Sequence, residues 1–309
     1  LRVLVLHDVI PPDAPPDQQD ALVQAEVFRS VLAADGHEVV IDAFRLDGAA
    51  ILAHGPDLVV NLVESVGGDG RSCHLAPATF EVLGVPYTGS GAAAMAVTCH
   101  KRLCKRVLAA HGLPVPADWP AGGPTWIVKS LWEHASIGLA DDCVLPGAEV
   151  EAGIARLRGR LGGEVVAETY VDGRELNVSM LETPEGVVVL PLAEIEFDFP
   201  PGKPRIVGYA AKWDDQSPES KGTTRTFAVR DLDRTAVERL VRRVWEVLGL
   251  RGYVRVDLRI DERGQPWVLE VNCNPCLSPD AGFLAACAEG GRPVDAVVRD
   301  IVAAALRAR

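Results

Sequence analysis

Residues 253–276 read YVRVDLRIDERGQPWVLEVNCNPC. Val254, Val256, Leu258 and Ile260 alternate with Arg255 and Asp257, a two-residue period that predicts a half-buried strand. DERGQP (261–266) predicts a turn, and Trp267 to Asn272 alternates again with Glu270 and Asn272 on one face. A hairpin closed symmetrically over 261–266 sets Asp257 opposite Glu270 and Arg255 opposite Asn272. Carboxylates directly opposite one another repel unless a cation sits between them. Oxygen donors from Asp257, Glu270 and Asn272 suit Mg²⁺, a hard ion that keeps waters and shares its shell with phosphates, with Mn²⁺ as the alternative. A second reading stands beside this one: Asp257 and Glu270 as solvated residues of an outer face, paired with Arg255. The CxxC of Cys273 and Cys276 lacks a second Cys or His pair, so both are read as packing residues rather than zinc ligands.

Working outward, Thr235 and Glu238 predict a capping box for a helix that buries Val237, Leu240, Val241, Val244, Trp245 and Leu248 and stops at Gly249. Before it come a polar loop from about Pro200 to Gly222 and two strands, ELNVSMLE and GVVVLPLAEIEF. Further upstream lie the strand VVAETYV, a helix over 150–161, the loop SLWEHASIG and a strand at Trp126–Lys129. A helix capped by Thr98, carrying Leu103, Val107 and Leu108, precedes them. Residues 1–95 alternate VLVLHD, HEVVIDAF, DLVVNLV and GVPYTGS with a helical stretch over 21–35, the rhythm of a parallel sheet. Ligands gather at the carboxyl ends of such strands, here His7-Asp8, Asn61, Glu64 and Thr88-Gly89-Ser90. VGGDGR (66–71) lacks the spacing of a dinucleotide fingerprint and reads equally as a turn.

The 309 residues are 48% hydrophobic and 24% charged, which predicts a folded protein of two or three domains. A net charge of −12 argues against a nucleic-acid or anionic-membrane partner, so an anionic ligand must be captured locally. Apolar runs such as 186–193 are shorter than the roughly 18–20 residues of a bilayer span. LRVLVL at the start lacks the length of a signal peptide, which predicts a cytoplasmic protein with the initiator Met missing from the chain. Seven scattered cysteines give no disulfide framework and are expected to be reduced.

RVDLRIDERGQPWVLEVNCNPCLS (255–278) resembles the R-x-D … E-x-N-x-x-P block of the ATP-grasp superfamily, in its D-alanine–D-alanine ligase branch. VPYTGSG, HKRLCKRVLAAHGLPVP, WIVKS with EHASIG, AETYVDGRELNVSML and AAKW precede it in that family's order. The resemblance covers almost the whole chain and implies an α/β ATP-grasp fold. Its parts would be an N-terminal Rossmann-like (pre-ATP-grasp) domain (1–95), a central α+β subdomain (96–171) and a C-terminal α+β domain (172–309). It implies an ATP- and Mg²⁺-dependent, ADP-forming carboxylate–amine ligase that makes an amide through an acyl phosphate. Lys101 and Lys129 would then hold ATP phosphates, Glu168, Thr169, Tyr170 and Val171 form the adenine hinge, and Glu175 bind the ribose. Lys212 would reach the γ-phosphate, Glu133 and Ser136 belong to the loop over the phosphates, and Leu269 join the ATP pocket. Arg255 and the backbone amide of Cys276 would stabilise the tetrahedral intermediate. Taken singly, Lys101 reads as a solvated helix residue, Lys212 as a loop charge and Glu175 as a strand-end carboxylate; their joint order sets them apart. Small-molecule amino acids or peptides are the partners implied, with a homodimer as a compatible assembly.

The chain departs from that family at the substrate. HDVIPPDAPPDQQD (7–20) replaces a Gly-rich turn carrying Ser and Glu, so the Glu that orients the first D-alanine has no counterpart. Its partners, a loop Ser and a Tyr, fall on Ala135 and Trp213; His134 stands where the family has Gly. A first-substrate His corresponds loosely to Glu64, and a Ser for the second carboxylate falls on Ala281. Glu64, Trp213 and Ser278 are the candidate substrate residues. The expectation is a ligase for an amino-bearing acid other than D-alanine. The alternatives are a D-alanine–D-alanine ligase with relocated contacts and a nucleotide-gated binding module without turnover. Retention of Lys212 and Arg255, which act on transferring charge, argues against the binding module. A NAD-dependent oxidoreductase lacks its glycine fingerprint.

Overall fold

The computed structural model describes the chain apart from residues 133–135, 308 and 309 and the side chains of residues 16 and 17. β1 (Arg2–His7), β2 (Glu38–Ala43) and β3 (Leu58–Asn61) form a parallel sheet in the order β2-β1-β3. Helices α1 (Pro16–Ala34), α2 (Ala49–His54) and α3 (Leu75–Leu83) accompany it. Val3 to Leu6 are all buried because both faces of β1 are covered. Leu4 and Leu6 meet Phe44, Ile51 and Phe80 on one side. On the other, Val3 and Val5 share a core with Phe28, Tyr253, Phe283, Val297 and Ile301. The strand expected at GVPYTGS is a single bridge from Tyr87 to Val59. Pro86 has no amide proton to extend it, and Gly89 at φ +85 turns the chain away.

α4 (Ala92–Cys99) and α5 (Lys101–Ala110) break at His100. The His100 ring accepts from the Leu103 N–H at 3.1 Å and is the cap, whereas the Thr98 hydroxyl bonds back to the Ala94 carbonyl at 2.9 Å. β4 (Thr125–Ser130), β5 (Val144–Pro146) and β6 (Val165–Thr169) form an antiparallel sheet in the order β5-β4-β6. α6 (Val150–Leu161) covers it over Trp126, Val128, Leu145 and Leu157.

The third sheet holds β7 (Arg174–Thr183), β8 (Gly186–Val189), β9 (Ala193–Phe197), β10 (Thr223–Thr226), β11 (Tyr253–Ile260) and β12 (Pro266–Asn272). Its order is β10-β9-β7-β11-β12, with β8 also on β7. The single strand expected over 186–197 is two, interrupted at Pro191, which cannot donate to a ladder. The loop after β9 carries α7 (Tyr209–Trp213) and α8 (Pro218–Lys221). α9 (Arg234–Leu248) buries the expected face, but its cap is Asp233, which accepts from the Ala236 N–H at 2.9 Å, so Thr235 lies inside the helix. α10 (Gly282–Glu289) and α11 (Val294–Arg307) close the chain against the first sheet. Among the described residues no helix is long and apolar enough to cross a membrane, and the cysteines are free thiols.

The β11–β12 register corrects the symmetric hairpin. Ile260 pairs with Pro266 rather than Trp267, and a bulge between Asp257 and Leu258 takes up one residue. Beyond it Asp257 faces Glu270 and Arg255 faces Asn272, as the alternation predicts. The bulge lets Val268 and Val271 both enter the core while Leu269 and Glu270 stay off it.

Gly173, at φ +144 before β7, packs against β11 so closely that a Cβ would lie 2.0 Å from the Ile260 carbonyl oxygen. Gly173→Ala is expected to destabilise the fold by about 2–4 kcal/mol, combining overpacking with backbone strain. Urea unfolding checks this; a shift below about 0.5 kcal/mol would show that β11 can move aside.

Candidate active site

The period of two places three rungs on one face of β7, β11 and β12. They are Ser179–Arg255–Asn272, Asn177–Asp257–Glu270, and Glu175–Arg259–Trp267. Arg255 reaches from its own rung to fork onto Asp257 of the middle rung at 2.7 and 2.9 Å, and Asn177 donates to the same carboxylate at 2.9 Å. Burial presses on the Arg255 charge, yet Asp257 and Glu270 outweigh it and raise the guanidinium above its usual range. Lys101 Nζ lies 3.9 Å from Glu270. The Asn272 side-chain oxygen accepts from the Asn274 N–H at 2.9 Å, which turns the chain out of β12. Asp257, Glu270 and Asn272 therefore come together as an oxygen-only set.

Beside this face, Glu168 on β6 is buried at 1% exposure between Lys105 of α5 and Lys129 of β4. Lys129 Nζ is 2.8 Å from Glu168 Oε1, and Lys105 donates to Oε2. Burial lowers Lys105 to about 8 despite Glu168. The same burial acts on Lys129, but Glu168 and Glu270 prevail and hold it above the ordinary lysine range. On Glu168 burial pushes up, and the two lysines overcome it. Two ammonium groups share the Glu168 carboxylate, and Glu270 adds its charge on the side of Lys129. Lys105 was not singled out from the sequence; its place one helical turn after Lys101 was the available signal.

The hinge residues end β6. The Thr169 and Tyr170 N–H groups are held by the carbonyls of Ala117 and Thr125, both at 2.9 Å, so these two amides tie the hinge down. Glu175 accepts from Arg259 at 2.7 Å; burial raises its carboxyl above the ordinary range, Asp257 adds to this, and Arg259 opposes it. Arg205 closes over the hinge: its N–H donates to the Tyr170 hydroxyl at 3.1 Å and its guanidinium to Asp172 at 2.7 Å.

Glu133, His134 and Ala135 lie outside the described residues. Ser136, at φ +61, donates its hydroxyl to the Val207 carbonyl at 2.8 Å, and Tyr209 N–H bonds the Leu139 carbonyl at 3.0 Å. The Ser136 hydroxyl thus joins its loop to the segment before α7. Leu269, half buried, is the extra residue of the bulge.

At the other end of the cleft, Lys212 lies 5.1 Å over the Trp213 ring. Desolvation, then Arg255, hold its ammonium below the ordinary lysine range against the pull of Glu64, Cys276 and Asp257. Asp8 fixes the Glu64 backbone by accepting its N–H at 2.8 Å. Asn274 links Tyr253, whose hydroxyl donates to it at 2.7 Å, to the Val63 carbonyl at 3.3 Å.

Asp20 of α1, in the stretch where no acidic partner was placed, accepts from Cys276 Sγ at 2.9 Å, from Ser278 Oγ at 2.5 Å and from Gln24 at 3.0 Å. Ser278, expected at the substrate, is 1% exposed and donates its hydroxyl to Asp20. Cys276 does more than pack: burial first, then Asp20, push its thiol up to about 12, which keeps it a donor and not a thiolate nucleophile. The sequence reading missed Asp20, Asn177, Asn274 and Arg259 because their roles depend on partners distant in the chain.

Residues 119–303 match the family model described as D-ala D-ala ligase C-terminus. The chain is 33% identical over 299 residues to a D-alanine–D-alanine ligase of Chromohalobacter salexigens, covering 91% of this chain and 86% of that protein. It is 30% identical over 295 residues to a D-alanine–D-alanine ligase of Gloeobacter violaceus, covering 86% and 89%. The crystal structure of D-alanine–D-alanine ligase from Bacillus anthracis complexed with ATP shares the fold, with a TM-score of 0.76 at 18% identity over 100% of this chain and 98% of that one. A cleft built on the carboxylate-bearing hairpin, a match over more than half of the sequence and this common ATP-grasp architecture agree: the chain belongs to the D-alanine–D-alanine ligase family of ATP-dependent, ADP-forming ligases.

Proposed function

We propose that the protein joins an amino-bearing acid other than D-alanine to an amine, in the cytoplasm, using MgATP. The observation that carries this reading is the substrate end of the cleft. An indole lies beside Lys212 where a hydroxyl relay would be needed, and the carboxylate of Asp20 accepts from Cys276. An indole offers one N–H donor and no acceptor, so it cannot relay a proton as a hydroxyl, which both donates and accepts, does. An unpaired polar group on the ligand shifts discrimination by roughly 1–3 kcal/mol per contact. The names of the relatives favour a second reading, a D-alanine–D-alanine ligase with relocated contacts.

Asp257, Glu270 and Asn272 fit a hard divalent ion: they offer oxygen alone, from adjacent rungs, with the two carboxylates opposed. Among the described residues no three His, Cys, Asp or Glu side chains converge on a metal position, so phosphate and water oxygens would complete the shell. Bound there, Mg²⁺ would neutralise developing charge on the phosphates. Lys101 and Lys129 supply fixed charge to the phosphate chain, and Lys105 shares the Glu168 carboxylate with Lys129. The substrate carboxylate oxygen attacks the γ-phosphorus and ADP leaves, with Lys212 facing the charge that moves. The amine then attacks the acyl carbon and phosphate departs. Arg255 and the Cys276 amide stabilise the oxyanion between those two events.

Asp257→Asn and Glu270→Gln are each expected to lower kcat by about 100-fold or more at saturating Mg²⁺. Near wild-type turnover in either variant at limiting Mg²⁺ would remove the pair from the metal site. Phosphate release over a panel of amino acids, dipeptides and amines identifies the substrates. The expected products are ADP, phosphate and an amide, with kcat/KM for D-alanine below that of at least one other acid. A D-alanine value above all others would establish the second reading, and AMP with pyrophosphate would exclude the mechanism.

A further inference from the structure

Arg259 is 3% exposed and has no part in the chemistry above, yet it ties together three separate segments. It stands opposite Glu175 in the β7–β11 register and donates to Glu175 Oε2 at 2.7 Å. It also donates to the carbonyl of Gly173 at 3.1 Å and to the carbonyl of Arg205. Its guanidinium carbon lies 5.8 Å from the centre of the Tyr170 ring and 5.6 Å from that of Phe197. Hinge, β7 and the loop before α7 thus converge on one planar cation. The neighbouring guanidinium, Arg255, is engaged with Asp257, so each arginine of the face serves a different carboxylate.

We propose that Arg259 is a positioning residue that fixes the Glu175 carboxylate for the hydroxyls of the nucleotide ribose. The proposal rests on the reading of Glu175 as the ribose ligand. A glutamate on a strand has three rotatable side-chain bonds, and an unrestrained carboxylate meets a pair of vicinal hydroxyls only in a minority of its rotamers. Arg259 limits that freedom with one hydrogen bond to Oε2 from a guanidinium fork whose own orientation is set by two backbone carbonyls and two ring faces. Its bond to Glu175 uses Oε2, and the carboxylate has acceptor capacity beyond one bond. A lysine would supply charge without the fork. A methionine would supply bulk without either.

The test compares binding of ATP and 2′,3′-dideoxy-ATP, both with Mg²⁺, by calorimetry on the full chain. The variants are Glu175→Gln, Arg259→Met, Arg259→Lys and the Glu175→Gln/Arg259→Met pair, with thermal melts to confirm folding. Wild type is expected to prefer ATP by about tenfold, the worth of hydrogen bonds to a charged acceptor. Arg259→Met should bring that preference within about twofold while affinity for the dideoxynucleotide stays within about threefold. The double variant should lose no more than Glu175→Gln alone, because the two side chains act as one unit. A folded Arg259→Met that keeps the full preference overturns the proposal and leaves the ribose reading intact. If Arg259→Met does not fold, Arg259→Lys decides: a reduced preference supports the fork, and an undiminished one overturns it. Equal affinity of wild type for the two nucleotides would overturn the ribose reading of Glu175, and this proposal with it.

Discussion

Asp257 and Glu270 face each other across neighbouring strands, an arrangement that like charges disfavour in any bare sheet. The surrounding cleft answers that repulsion. Arg255 forks onto one carboxylate, Lys101 approaches the other, and Asn177 donates from the far side. The bulge in the hairpin lets two opposed requirements coexist, since it keeps Glu270 on the cleft face while Val268 and Val271 both stay in the core. Sheet register, core packing and the charge pattern of the site are thus one problem with one solution.

The same logic extends to the Lys105–Glu168–Lys129 cluster. The chain as a whole carries a net charge of −12, yet Lys101, Lys105 and Arg259 are buried beside the carboxylates of Glu270, Glu168 and Glu175. A buried ion pair is weak evidence for stability, because desolvation offsets most of its attraction. A buried cluster with two ammonium groups to one carboxylate is weaker still. Its retention inside the fold makes sense as preorganisation for an anionic ligand, where the charge is already fixed when the ligand arrives.

Short-range pattern in the sequence revealed the hairpin, the parallel first sheet and the buried face of α9, because alternation and helical periodicity are local properties. The caps at Thr98 and Thr235 failed for a local reason too. His100 and Asp233 are better placed to reach the N–H groups of the first helical turn, and sequence spacing alone does not rank competing caps. The site divides along the same line. Asp257, Glu270 and Asn272 share one hairpin, so their apposition could be counted out. Arg259 and Glu175 lie 84 positions apart, and Asp20 and Cys276 256 apart, so their pairing waited on the tertiary fold. Ser278 was named for its chemistry and then found with its proton committed to Asp20.

The core that joins Val3, Val5 and Phe28 to Phe283, Val297 and Ile301 has a consequence for how the protein is made. One face of the first sheet is completed by helices from the last part of the chain. On a ribosome adding about 5–20 residues per second, β1 and α1 emerge on the order of tens of seconds before α10 and α11 can cover them. During that interval an apolar sheet face stands open, a surface that the folded protein does not display.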